Sequence, residues 1–189
     1  MSGPLSTVRT RVSSPRLLAR LAGVLYATAV LVAVFHEFLA PGVRDRLAFA
    51  LATGCYAAVV LLLYAMLKTV HPRVAPIATV VGLAGFAVDA LHWQPDGMNV
   101  DIPMHGLFCI LVGWMLLRSM LLPRVFGALM VFAGLIWILY LIPSLVRSLA
   151  PYNSFAGLLG EAIPMLRLLF IGLDERQVHK LPGIPEVAS

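Results

Sequence analysis

Long apolar runs alternate with short polar or proline-containing segments along this chain, and the pattern predicts membrane-spanning helices. A helix needs about 20 mostly apolar residues to cross the hydrocarbon core of a bilayer. We predict six such spans, over residues 17–39, 47–67, 74–93, 102–118, 125–146 and 152–173. They make up a transmembrane domain over 16–173, which follows a disordered cytoplasmic tail (1–15) and precedes a second cytoplasmic tail (174–189).

The composition supports this interpretation. Of the 189 residues, 60% are hydrophobic and only 12% are charged, and the mean hydropathy is +0.92. Soluble domains typically carry about 25% charged residues. The composition therefore excludes a soluble globule and a disordered chain, and the predicted fold class is all-α, a polytopic integral membrane bundle of six transmembrane helices.

The basic residues indicate the orientation. The net charge is +5, but the basic residues are scattered between the spans rather than gathered in a patch, which argues against nucleic acid as a partner. With the amino terminus inside, the inner segments hold ten basic residues and the outer loops three. This bias predicts a plasma (inner) membrane protein with both termini cytoplasmic and the lipid bilayer as its partner. Arg118 and Arg124 flank a short inner turn and are expected to bind lipid phosphates.

Ionisable residues in the outer halves of the spans are the candidates for chemistry, because such groups are costly in lipid. Carboxylate and imidazole groups follow one another at helical spacing in this region, three or four residues apart on either side of one outer turn. A carboxylate that orients an imidazole is typical of a metal ligand and of a general base. The candidate ligand-binding or metal-ligating residues are His36, Glu37, Asp89, His92, Asp101, His105 and Glu161.

Glu161 is the sharpest anomaly, because it lies about ten residues into the last span and so near mid-membrane. A charge there costs about 2.5–3.5 kcal/mol. Pro164 removes a backbone donor and frees the carbonyl of Gly160. Glu161 can bind a cation, carry a proton or hold a polar ligand, or it can simply be hydrogen-bonded to a neighbouring span. We expect it to face the bundle interior, with a histidine of the outer group as its partner.

Several alternatives for the chemistry stay open. The three outer histidines suffice for a metal site or for haem held by two of them, but no zinc motif is present, and the same residues can also just cap helices at the membrane interface. Cys55 and Cys109 lie in apolar runs and are expected to be buried thiols. Tyr26 and Tyr56 are expected to pack in the core, and Trp137 to face lipid or pack.

Three functions of different classes follow. The first is an intramembrane binding module with a polar, outward-opening cavity for a small ligand, lipid, metal or haem. The second is a small membrane enzyme that uses the same histidines and carboxylates. The third is a structural or accessory subunit of a membrane complex, with other membrane subunits as partners. We favour the first. The residues leave the cofactor and the substrate open.

Four short stretches carry a resemblance to a known family. They are the opening of the first span (20–26), the close of the second (63–68), the arginine-serine and leucine-proline-arginine linker (118–124) and the late Gly160-Glu161. Together they resemble an uncharacterised bacterial multi-pass membrane family, domain of unknown function 4386, over about residues 16–173. The resemblance implies a six-helix membrane fold and no known activity.

Overall fold

The computed structural model describes most of the chain. The described residues are 15–39, 46–91, 95, 99–119 and 121–172. For residues 15, 33–39, 46 and 49, only the backbone is described. The predicted tails fall outside this part of the chain, apart from Pro15. Every regular element among the described residues is helical.

Seven α-helices make up the described structure. They are α1 (Pro15–Leu39), α2 (Arg46–Leu67), α3 (Val74–Ala90), α4 (Asp101–Arg118), α5 (Arg124–Ile138), α6 (Pro143–Leu149) and α7 (Tyr152–Phe170). Five of the six predicted spans agree with a helix to within three residues at each end. The long apolar runs between prolines, glycines and charges were enough to place these helices.

The fifth span was predicted wrongly as one helix over 125–146. In the structure α5 ends at Ile138, a 3-10 turn follows over Leu139–Leu141, and α6 begins at Pro143. Proline has no N–H to bond to the preceding turn, and its ring excludes the residue before it from the helical region. Ile142 accordingly adopts φ −119° and ψ 85°, and Pro143 starts a new helix.

The six long helices contact one another in a closed ring. Each of α1 to α4 packs against the next helix in the chain, α5 packs against α7, and α7 packs against α1. The short α6 lies beside the 3-10 turn and α7. The contact between α1 and α7 closes the bundle around a shared interior.

Glycine pairs bring α4 and α5 into close backbone contact. A Cβ atom on Gly106 would lie 2.7 Å from the carbonyl oxygen of Gly134, and one on Gly113 would lie 2.7 Å from that of Gly127. In the opposite direction, a Cβ atom on Gly134 would lie 2.5 Å from the carbonyl oxygen of Gly106, and one on Gly127 would lie 2.8 Å from that of Gly113. These separations leave no room for a side chain, so the two helices depend on glycine at all four positions.

The outer surface of the bundle is apolar. Large side chains such as Leu31, Val80 and Phe170 are exposed, whereas Glu161 is buried inside. Among the described residues, three helical stretches are long and apolar enough to cross a membrane, namely Ala50–Leu67, Asp101–Arg118 and Arg124–Leu141. The chain is therefore an all-helical membrane protein. Length and composition support three of the six predicted spans; α3 is apolar but has 17 residues.

Candidate functional site

The site is centred on Glu161, which lies on α7 and is only 2% exposed. Its side chain faces the bundle interior, as expected from the cost of a carboxylate in lipid. Four side chains from four other helices surround the carboxyl group: Tyr26 of α1, Tyr56 of α2, His105 of α4 and Trp137 of α5. These five residues are called the Glu161 cluster below.

The two carboxylate oxygens divide the four neighbours between them. Oε1 accepts a hydrogen bond from the Trp137 indole Nε1 and lies 2.9 Å from His105 Nε2. Oε2 accepts from the Tyr56 hydroxyl at 2.5 Å and from the Tyr26 hydroxyl at 3.4 Å. An ionised carboxylate offers about four acceptor sites, and this arrangement fills them all. The protein interior thus replaces the water that Glu161 lacks.

His105 is the second focus of the site. Its Nε2 atom lies 2.9 Å from Glu161 Oε1, 3.1 Å from the Tyr56 hydroxyl and 3.4 Å from Cys109 Sγ. Cys109 is one helical turn after His105 on α4, so the two side chains share a face. The ligand atoms of His105, Cys109 and Glu161 all lie within 4.8 Å of one another.

Aromatic rings enclose these polar groups. The Tyr56 ring lies 5.1 Å from the His105 ring, edge to face, and 5.3 Å from the ring of Phe86 on α3. The Trp137 ring lies 6.2 Å from His105, and it fits against α7 because position 157 is glycine; a Cβ there would approach the indole to 2.8 Å. Edge-to-face packing of this kind fixes ring orientation and holds the donors in place.

A cavity of about 210 Å³ adjoins the cluster. It brings α3 to the site, so that all six long helices contribute. Its lining residues are Tyr56, Gly82, Gly85, Phe86, Asp89, Asp101, Ile102, His105 and Trp137. Asp89 lies in the last turn of α3 and Asp101 in the first turn of α4. The lining contains two carboxylates, those of Asp89 and Asp101, and one imidazole, that of His105. None of the described lining residues is lysine or arginine.

The structure unites some of the predicted site residues. His105 and Glu161 are in direct contact, which matches the expectation of a histidine partner, and Asp89 and Asp101 line the same cavity as His105. His36 and Glu37 belong to α1, but their side chains lie outside the described part. His92 also lies outside the described residues. The role of His92 as a candidate ligand, and a haem held by two histidines, therefore stay predictions.

Sequence reasoning missed four members of the site: Tyr26, Tyr56, Cys109 and Trp137. Each was interpreted as core or lipid-facing packing, because tyrosine, cysteine and tryptophan are ordinary in apolar helices. One signal was available in the four-residue spacing of His105 and Cys109. A second was the requirement that buried phenol and indole groups find acceptors, for which Glu161 was the obvious candidate.

Arg118 and Arg124 lie at the opposite end of their helices from the Glu161 cluster. Both side chains are exposed, and the Arg118 guanidinium lies over the Trp114 ring at 5.6 Å from its centroid. An arginine beside an exposed tryptophan is typical of a membrane interface. Their binding of lipid phosphates stays a prediction.

No family model, curated protein or solved structure matches this chain. The resemblance to domain of unknown function 4386 accordingly stays a prediction.

Proposed function

We propose that this chain is a membrane-embedded binding module that takes a small cation into the cavity beside His105 and Glu161. One observation carries the proposal: the cavity in this apolar bundle is lined by two carboxylates and, among the described residues, by no lysine or arginine. The two carboxylates are Asp89 and Asp101, and Glu161 contacts His105, which also lines the cavity.

The physics favours a cation over other small ligands. Carboxylates with low-dielectric walls around them produce a negative potential that concentrates positive ions. Tyr56, Phe86 and Trp137 also line the cavity, and a desolvated cation over an aromatic ring gains about 2 kcal/mol. An anionic ligand would meet the same carboxylates as repulsion, and an uncharged ligand would gain from neither effect.

The proposed setting is a six-span bundle of the plasma (inner) membrane with both termini cytoplasmic. The closed ring formed by α1 to α5 and α7, with apolar side chains outside and the Glu161 cluster inside, supports six spans. The excess of basic residues on the inner segments supports the orientation. We also propose membership of domain of unknown function 4386, on the sequence stretches described above.

Thermal unfolding of the purified protein in lipid nanodiscs tests the proposal. The probe is methylammonium, and methanol is its uncharged analogue. A ligand that binds only the folded state raises the unfolding temperature as its concentration exceeds the dissociation constant. We expect stabilisation by methylammonium and none by methanol.

A pair of charge variants locates the binding. Asp101→Asn removes one cavity charge and should weaken the methylammonium effect. Arg124→Gln is the matched control, because it also changes one charge but lies about 20 Å along α5 from Trp137, at 1.5 Å per residue. Equal stabilisation by methylammonium and methanol, or equal effects of the two substitutions, would contradict the proposal.

A structural role is the second candidate, and one observation favours it. Every acceptor site of Glu161 is filled by donors from four other helices, so the carboxylate joins the bundle without any ligand. In that case no cation stabilises the protein, while removal of the carboxylate still destabilises it. The nanodisc measurement separates the two candidates.

A further inference from the structure

We infer that His105, Cys109 and Glu161 form a three-ligand site for a divalent transition metal ion of the zinc class. This inference rests on the proposed function, because it names the cation that the module binds. The three residues supply a ring nitrogen, a sulfur and a carboxylate oxygen within 4.8 Å of one another, and His105 also lines the acidic cavity.

His105 Nε2 is the atom that joins the three candidate ligands. It lies 2.9 Å from Glu161 Oε1 and 3.4 Å from Cys109 Sγ. An imidazole nitrogen, a thiolate sulfur and a carboxylate oxygen can each give a lone pair to a metal ion once Nε2 and the thiol have released their hydrogens.

Two of the three separations are close to those of a tetrahedral site. With zinc distances of about 2.0 Å to nitrogen and oxygen and about 2.3 Å to sulfur, ideal geometry puts nitrogen about 3.3 Å from oxygen, and sulfur about 3.5 Å from both. The structure has 2.9 Å between His105 and Glu161 and 3.4 Å between His105 and Cys109, and Cys109 Sγ lies within 4.8 Å of the Glu161 carboxylate. Binding therefore needs His105 and Glu161 to separate by about 0.4 Å and Cys109 to approach Glu161 to about 3.5 Å.

The charges and the surrounding groups also suit a divalent ion. One thiolate, one carboxylate and one neutral imidazole around a doubly charged cation give a net charge of zero, which is the arrangement that a low-dielectric interior penalises least. Mixed sulfur and nitrogen ligands select zinc-like ions over magnesium or calcium. Trp137 and Tyr56 already hydrogen-bond the Glu161 carboxylate, as groups around a metal ligand commonly do.

His105 connects the three ligands to accessible space. It lines the cavity, whereas Cys109 and Glu161 are buried and do not line it. Three protein ligands with an open fourth position are typical of zinc sites that bind water or another small ligand. The Asp89 and Asp101 carboxylates on the same cavity would attract the ion along its path of entry.

Cobalt binding to the full chain in lipid nanodiscs tests the inference. Co²⁺ takes the place of Zn²⁺ at such sites, and a thiolate ligand gives an intense near-ultraviolet charge-transfer band. We expect this band at one Co²⁺ per chain, with displacement by Zn²⁺. Cys109→Ser should remove the band and weaken Zn²⁺ binding by more than about 100-fold, since even groups behind the ligands change affinity by 10–100-fold.

Cys55→Ser is the matched control, because Cys55 is the other cysteine of the chain and has no place in the three-ligand cluster. It should leave the band and the affinity unchanged. If Cys109→Ser fails to fold, Zn²⁺ protection of the Cys109 thiol from a maleimide in the Cys55→Ser protein takes its place. Protection is expected, and unprotected modification overturns the inference.

The remaining outcomes separate this inference from the proposed function. Co²⁺ binding without the thiolate band, or binding unaffected by Cys109→Ser, overturns the ligand set. Stabilisation by methylammonium with no Co²⁺ or Zn²⁺ binding overturns the metal site and leaves the cation module standing. If methylammonium does not stabilise the protein and neither Co²⁺ nor Zn²⁺ binds, the metal site and the cation module are both overturned.

Discussion

Replacing Glu161 with leucine should lower the free energy of unfolding by several kcal/mol. The substitution keeps the approximate volume but removes both oxygen acceptors at once. The donors of Trp137, Tyr56 and His105 then lose the acceptor that they share in the interior of the bundle. The Tyr26 contact contributes less, because at 3.4 Å it is long for a hydrogen bond between oxygens.

The magnitude follows from the three short contacts. Hydrogen bonds between membrane helices average about 0.6 kcal/mol, which sets a lower limit of about 2 kcal/mol for three. A buried donor left without a partner costs about 1–3 kcal/mol, and about 2 kcal/mol for each of three gives an upper value of about 6 kcal/mol. Leucine offers little compensation, because lipid is as apolar as the bundle interior. Glu161→Gln should cost only about 1 kcal/mol, since the amide oxygen can keep the contacts at Oε1.

Reversible unfolding by sodium dodecyl sulfate in mixed micelles measures these differences. A double-mutant cycle with Trp137→Phe assigns the effect to the hydrogen bonds. In the wild-type background Trp137→Phe should destabilise by about 1 kcal/mol, because it removes one donor. In the Glu161→Leu background the same change should be neutral or stabilising, because it removes an unpaired donor. The coupling energy should therefore be at least about 0.5 kcal/mol.

Two results would refute this reasoning. One is a Glu161→Leu protein within about 0.5 kcal/mol of wild type, which is the spread of surface substitutions. The other is a Trp137→Phe effect of equal size and sign in both backgrounds. Either result would mean that the Glu161 cluster does not join the helices.

Three further predictions concern packing, topology and one buried amide. Gly113→Ala should destabilise the bundle by about 1–3 kcal/mol in the same unfolding assay, because its Cβ would lie 2.7 Å from the Gly127 carbonyl oxygen. Gly54→Ala is the control and should stabilise the bundle by about 0.5–1 kcal/mol, since nothing lies within 4 Å of its Cβ position. In a Cys55→Ser background, a cysteine at 99 should react with an impermeant maleimide from outside and one at 73 only from inside; the reverse pattern would invert the proposed orientation. Asn153→Leu should stabilise the bundle by about 1 kcal/mol, because both polar atoms of the buried Asn153 amide lack hydrogen-bond partners among the described residues. A loss of stability would instead mean that the amide has a hydrogen-bond partner outside those residues.

The helices could be predicted from the sequence wherever a long apolar run marks a segment that can cross the membrane. An uncharged run placed α2, and an apolar run next to Asp101 placed α4, both almost to the residue, because a spanning helix must be continuous and apolar. The break between α5 and α6 was missed, because Pro143 stands in a run whose composition fits a span, and composition does not register the lost backbone donor. The glycine pairs between α4 and α5 were also missed, although each helix carries its two glycines seven residues apart, a spacing that returns to the same face.

The site could be predicted only where lipid makes a residue costly. Glu161 and His105 stood out because ionisable groups need a reason to lie in a span. Trp137 and Tyr56 did not, because an aromatic side chain is stable against lipid, against protein or at a hydrogen bond, and the sequence does not distinguish these environments. Which face of α5 points inward depends on packing against α4 and α7, and a single sequence does not contain that information directly.

Glu161, the acceptor that the other four cluster residues share, lies on α7, and this position affects how the bundle is assembled. Tyr26, Tyr56, His105 and Trp137 all precede Glu161 in the chain, and they belong to α1, α2, α4 and α5. During synthesis these four side chains enter the membrane before Glu161 does. Only when α7 inserts does a single side chain engage the four helices made earlier, so completion of the bundle becomes a late and concerted event. A bundle that lacks α7 would leave the Trp137 and Tyr26 donors without this acceptor.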